Sequence, residues 1–174
     1  MHAHEGSSIA PEQIVHTPSS IKIRSLLPGD DATAFRTLNE EWITRHFTLE
    51  PKDIEILGNP ENTILAKGGY LFMVYDDAAP VGCVALVPMN NAVFELSKMA
   101  IAPHLRGQGI GRRLLQYAVD HARTIGASSI FLGSSTKLPN AVHLYESMGF
   151  LHVPPEKLPP TPYARANVFM QLLL

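Results

Sequence analysis

Arg106-Gly107-Gln108-Gly109-Ile110-Gly111 stands between a run of strand-forming residues, Phe94-Glu95-Leu96-Ser97-Lys98-Met99-Ala100-Ile101, and a helical pattern that continues Arg112-Arg113-Leu114-Leu115. Glycine at alternate positions removes the side chains that keep an anion off the backbone, so several N–H groups can converge on it. A helix starting directly behind such a turn adds its unpaired first-turn donors and the positive end of its dipole. The combination suits a pyrophosphate. Two phosphate-binding patterns fail on spacing. A Walker loop ends in Gly-Lys-Ser/Thr, whereas Gly111 precedes Arg112-Arg113. A dinucleotide fingerprint needs Gly-x-Gly-x-x-Gly, and Arg112 holds the place of its third glycine.

Downstream lies Leu138-Pro139-Asn140-Ala141-Val142-His143-Leu144-Tyr145-Glu146-Ser147-Met148-Gly149-Phe150. Together with the Arg-x-x-Gly-x-Gly of Arg106, Gly109 and Gly111, it resembles the paired signatures of the GNAT superfamily of acetyltransferases. The motifs stand in that family's order, with a helix and a strand between them. The resemblance implies an α/β fold: a mixed, mostly antiparallel central sheet with a splayed pair of parallel strands, flanked by helices. It also implies an N-acetyltransferase that takes acetyl-CoA as cosubstrate, needs no metal and acetylates an amine. By resemblance, the backbone of Met99, Ala100 and Ile101 pairs with pantetheine, and Arg106, Gly107, Gln108, Gly109, Ile110, Gly111 and Arg112 hold the pyrophosphate. Asn140 bonds the coenzyme, and Tyr145 sits beside the thioester sulfur. A phenol with a reference pKa of about 10 keeps its proton at neutral pH and can give it to a departing thiolate. Glu95 matches the general base of the histone-acetyltransferase branch.

Each of these residues also has a plain structural reading. Asn140 suits a helix N-cap, Tyr145 a core aromatic with a wet hydroxyl, and Glu95 a carboxylate that holds neighbouring strands. Arg112, Arg113 and His104 suit a solvated surface; Arg106 and Arg112 are favoured near phosphate and Arg113 at the surface. In an unbulged strand, Glu95 shares a face with Met99 and Ile101, and Lys98 lies on the other. Trp42, Tyr70, Tyr163 and Arg165 are candidates for an acceptor pocket, with the core as the alternative for Trp42. Cys83, within Val81-Gly82-Cys83-Val84-Ala85, reads as a small buried hydrophobe rather than an acetyl carrier. Direct attack by the amine in a ternary complex is therefore expected, with the Met99 N–H aiding the oxyanion. Glu41 is the alternative base.

These residues need a scaffold, and the hydrophobic pattern supplies one. Ile21 to Leu26 alternates as a half-buried strand. Phe35, Leu38, Trp42 and Ile43 recur at helical spacing through Phe47, and a short helix is predicted from Pro51 to Leu57, ended by Gly58-Asn59-Pro60. Tyr70–Tyr75 and Val81–Val87 form a predicted hairpin, followed by a strand from Val93 to Ile101. A helix from Ile110 to Ile125 carries an apolar stripe and is capped by Gly126. A strand at 129–133, a helix from Asn140 to Met148, and closing strands at 150–153 and 167–172 complete the sheet. A proline-rich loop, 154–162, joins the last two.

At 174 residues and 45% hydrophobic, the chain suits one domain with an ample core. Residues 1–19 read as a loose polar tail, in which His2, His4 and His16 lack metal-ligand spacing, and 20–174 as a single acetyltransferase domain. One cysteine excludes an internal disulfide, and a net charge of −2 offers no basic field for nucleic acid. With neither a secretory signal nor a long apolar run, a cytoplasmic location without membrane partners is expected. The expected acceptor is a small-molecule or peptide amine, and the resemblance admits a homodimer. Two other readings remain open: a protein acetylase acting on a lysine or an N-terminus, and an acyl-CoA-binding sensor without turnover.

Overall fold

A computed structural model describes residues 20–174; the expected tail and its three histidines lie outside the described residues. Seven strands form one sheet in the order β1-β2-β3-β4-β5-β7-β6. They are β1 (Ile21–Ser25), β2 (Tyr70–Asp76), β3 (Ala79–Pro88), β4 (Val93–Ile101), β5 (Ser129–Ser134), β6 (Leu151–His152) and β7 (Val168–Leu173). All neighbouring pairs are antiparallel except β4 and β5, which run parallel. Helices α1 (Thr33–His46), α2 (Pro51–Gly58) and α3 (Pro60–Thr63) precede β2, α4 (Ile110–Thr124) follows β4, and α5 (Pro139–Ser147) follows β5. The expected mixed, mostly antiparallel α/β sheet is the fold observed. Among the described residues, no helix is long and apolar enough to cross a membrane.

Each sheet face is sealed by a different helix set. On one face, Phe35, Asn39 and Ile43 of α1 are buried at four-residue intervals against Leu71, Met73, Cys83, Ala85 and Ala100. Asn39 enters this core with its polar atoms engaged: its amide donates to the Phe35 carbonyl (2.9 Å) and contacts Cys83 Sγ (3.3 Å), and its oxygen accepts from Trp42 Nε1 (2.9 Å). On the other face, the expected α4 stripe of Ile110, Leu114, Leu115, Ala118, Val119 and Ala122 is buried against Phe72, Val84, Leu86 and Leu96. Leu144 and Tyr145 of α5 join that second core.

The alternation expected along β4 breaks. Cys83 pairs with Ala100 but Ala85 pairs with Ser97, so Lys98 and Met99 together oppose Val84. Lys98 takes φ +55, a conformation that typically costs a non-glycine residue about 1–3 kcal/mol. The bulge reverses the face of everything beyond it. Phe94 and Leu96, then Met99 and Ile101, pack toward α4, while Ala100 packs toward α1. Glu95 is thereby on the face opposite Met99, correcting the expectation drawn from four-residue spacing.

Lys98 is held by a buried charge cluster. Asp53, fully buried, is the third residue of α2 and accepts from the Glu50 N–H (2.9 Å), completing a capping box with Glu50. It also accepts from both terminal nitrogens of Arg165 (2.7 and 2.7 Å) and pairs with Lys98 Nζ (3.0 Å). Glu50 in turn accepts from Arg165 (3.2 Å) and from the Ala164 N–H (3.0 Å). Burial alone would raise the Asp53 carboxyl; the Arg165, Glu50 and Lys98 contacts outweigh it and hold it at about 2, below its ordinary 3.8.

Two outcomes follow for Asp53. Asp53→Asn leaves buried Lys98 and half-buried Arg165 without their shared carboxylate and should destabilise the fold by about 3–5 kcal/mol in urea titrations. Because folding depresses this pKa, its contribution is complete above 3.8 and is lost as pH falls toward 2. The stability difference between wild type and Asp53→Asn should therefore shrink across that interval.

Candidate active site

β4 and β5 pair only through Val93–Ser129, Phe94–Ile130 and Glu95–Phe131; past Glu95 and Phe131 the strands part. The gap widens into a cleft of about 800 Å³. β4 lines it from Glu95 to Ile101, the glycine loop contributes Arg106, Gly107 and Gly111, and α5 contributes Asn140 and Tyr145. The C-terminal end of α1 and the 160–166 segment close the other side.

The loop is shaped as its glycines suggest. Gly107 and Gly109 take φ +78 and +81, and a Cβ on either would meet no heavy atom within 4 Å. The free space beside the backbone, together with the N-terminus of α4 at Gly109, fits a pyrophosphate. Gly111 serves packing instead: a Cβ there would lie 3.4 Å from Met99 Cε and 3.7 Å from Leu144 Cδ2, so the glycine brings α4 close to both. Ile110 is buried beneath the loop, and exposed Gln108 donates to the His104 carbonyl (3.2 Å).

The arginines are committed elsewhere. Arg106 reaches the cleft wall, but its Nε donates to the Ile101 carbonyl (3.1 Å) and its Nη2 to Glu41 (2.7 Å), anchoring the loop to β4 and α1. Arg112 donates to Ser147 on α5 (2.7 Å) and borders a separate surface depression with Ile23, Arg113 and Tyr117. Glu41 is also paired with Arg45 at 3.6 Å and does not line the cleft.

Asn140 lines the cleft from the second position of α5, not from its N-cap. Pro139 takes the first helical position, which its fixed φ and missing N–H favour, so the cap falls on Leu138. The far end of α5 fixes Tyr145. The Phe150 N–H donates to the Tyr145 carbonyl (3.1 Å) and the Gly149 N–H to the Glu146 carbonyl (3.1 Å), with Gly149 at φ +95. This is a Schellman stop, completed by the contact of the Tyr145 and Phe150 rings (5.8 Å). The tyrosine, glycine and phenylalanine of the second motif are thus one device. Burial pushes the Tyr145 phenol up to about 12.

Glu95 also lines the cleft, and burial raises its carboxyl, opposed by the charge of Lys98. Tyr163 and Arg165 border the same space; Arg165 lies 4.5 Å over the Tyr163 ring, and Lys98 Nζ donates to the Tyr163 hydroxyl (2.9 Å). Trp42 is half-buried at the edge of the α1 core and faces the cleft as well. Tyr70 does not: it packs on the α4 face, with its ring 4.3 Å from His121 and 6.3 Å from Phe72. Cys83 is fully buried, its thiol pushed up to about 12, and it is absent from the cleft wall. Asp53, Lys98 and Lys137 were not singled out as site residues by spacing. For Asp53 a signal exists, since Glu50-Pro51-x-Asp53 reads as a capping box; Lys137, which lines the cleft from the turn after β5, carries no local signature.

A family model described as "Acetyltransferase (GNAT) family" matches residues 33–150. An uncharacterised N-acetyltransferase of Schizosaccharomyces pombe is 28% identical over 160 residues, covering 89% of this chain and 96% of that protein. Spermidine N(1)-acetyltransferase of Vibrio cholerae is 30% identical over 141 residues, covering 76% of this chain and 80% of that one. A GNAT-family acetyltransferase from Staphylococcus aureus shares the fold, with a TM-score of 0.78 at 22% identity over 87% of this chain and 97% of that chain. The family match runs from α1 through the split sheet, the glycine loop and the Tyr145 helix. The chain belongs to the GNAT family of acetyltransferases, enzymes that move an acetyl group from acetyl-CoA to an amine.

Proposed function

We propose that the acceptor amine attacks the acetyl donor directly in a ternary complex, with Glu95 as proton acceptor and Tyr145 as donor to the leaving sulfur. The observation that carries this reading is that Glu95 and Tyr145 border one cleft from which Cys83 is excluded. The backbone of loop residues 106–112 and the Asn140 side chain are the proposed coenzyme contacts, with Met99, Ala100 and Ile101 offering backbone where β4 leaves β5. Residues 20–174 are proposed to act as one domain.

In this scheme the amine nitrogen forms the new C–N bond as Glu95 accepts the proton it sheds. The C–S bond breaks, and the Tyr145 hydroxyl donates to the departing sulfur. A phenol near 12 lies well above a thiol's ordinary value of about 8.5, so the proton stays mainly on oxygen. Tyr145 then acts through a hydrogen bond that strengthens as charge builds on sulfur, and solvent completes the transfer. A raised carboxyl suits Glu95 to accept a proton closer to neutrality.

Calorimetry should detect acetyl-CoA binding and much weaker binding of NAD or ATP. Gly109→Val should abolish it, because a β-branched residue is strained at φ +81 and would put atoms beside the loop backbone. Equal binding of NAD would overturn the assignment.

Tyr145→Phe keeps the ring and removes the donor; turnover should fall by about 10²–10³-fold with coenzyme affinity unchanged. Glu95→Gln should remove the acidic limb of the pH–rate profile, which in wild type lies above the ordinary carboxylate range. A folded Glu95→Gln enzyme that keeps that limb would exclude Glu95 as the base.

A further inference from the structure

The charges lining the cleft are unevenly matched. Lys98 and Arg165 share Asp53, with Glu50 adding to Arg165, and Arg45 and Arg106 share Glu41. Lys137, on the turn between β5 and α5, differs. Its Nζ lies 5.4 Å over the Phe47 ring, and among the described residues it has no carboxylate partner. Phe47 caps α1 and also lines the cleft, so the pair spans the two walls. Glu95 is the carboxylate on that lining; among the described residues it makes no ion pair within 4.0 Å, and the Lys98 charge acts on it only from farther off. One open carboxylate and one open cation therefore face a cavity whose remaining surface includes Trp42, Phe131 and Phe169.

That pattern is complementary to a dipolar molecule. Resting on the catalytic reading above, we propose that the acceptor is an amino acid or short peptide with a free carboxylate, its amine directed to Glu95 and its carboxylate held by Lys137. A polyamine fits poorly: after its first ammonium meets Glu95, further positive charges face Lys137 and cations whose carboxylates are already shared. An uncharged amine leaves Lys137 without an ionic partner. The coenzyme's own phosphates are the other anionic source for this lysine, and coenzyme affinity separates the two.

The test uses the full chain and thiol release from acetyl-CoA. Amino acids are compared with their carboxamides, with the matching amines that lack the carboxyl group, and with spermidine. The best amino acid should exceed its carboxamide by about tenfold or more in kcat/KM, the scale of one well-placed ionic contact. Lys137→Met should erase that preference by raising KM for the carboxylate acceptor, leaving the carboxamide's kinetics unchanged, and Lys137→Arg should restore most of it. Acetyl-CoA affinity by calorimetry should be the same in all three proteins. Preference for spermidine or for carboxamides overturns the proposal, as does acetyl-CoA turnover confined to acceptors without a carboxylate. A loss of acetyl-CoA affinity in Lys137→Met overturns it by assigning the lysine to the coenzyme. If wild type binds no acetyl-CoA at all, the catalytic reading falls and takes this inference with it.

Discussion

Strands β4 and β5 cooperate for three residue pairs and then separate, though each continues along another neighbour. A parallel pair in the middle of a sheet ordinarily stays closed because each unpaired backbone group forfeits a hydrogen bond. Here β3 secures β4 on one side and β7 secures β5 on the other, so the centre can open while the sheet remains whole. Nearly every candidate residue gains its position from this opening: Glu95 at its apex, Met99 to Ile101 along one edge, the glycine loop at the end of that edge, and Tyr145 beside it. The two hydrophobic cores, one under α1 and one under α4 and α5, lie on opposite faces and brace the halves.

The bulge and the charge cluster brace the α1 side of the opening. Lys98 would sit uneasily in a left-handed conformation and in a buried setting, yet Asp53 and Tyr163 engage its ammonium group. Through Asp53 and Glu50, the same cluster ties the start of α2 to the 163–165 segment. A proline-rich loop, whose regular structure is one 3-10 turn at Pro155–Lys157, thereby acquires a fixed anchor at Arg165.

Local rules carried the reading a long way. The apolar stripe of α4, the hairpin of β2 and β3, and the two motifs are patterns within short windows, and the elements fall close to where those patterns put them. The failures share a cause. Nothing in Ser97-Lys98-Met99 marks a bulge, since the residue at positive φ is a lysine stabilised by Asp53, 45 positions earlier, and its aromatic partner Tyr163 is 65 positions later. Arg165 and Asp53 are separated by 112 positions. Glu41, the partner that Arg106 takes on α1, lies 65 positions before it. Tyr70, a candidate for the acceptor pocket, packs on the α4 face instead, because a strand buried along most of its length does not announce which face its first residue takes. Asn140 yielded the cap to Leu138 because Pro139 starts the helix one residue sooner.

The stop at the end of α5 has an implication for how this chain tolerates change in length. Tyr145 supplies the carbonyl that the Phe150 N–H requires, so side chain and terminator are cut to one gauge. One residue inserted between Tyr145 and Gly149 would turn the phenol by about 100° around the helix relative to its terminator. One residue removed would turn it the opposite way. The 154–162 loop has no such gauge within itself and can lengthen or shorten without moving the hydroxyl. Drift in length can therefore remodel the cleft wall at Pro160 and Thr161, while the interval holding Tyr145 stays closed to it.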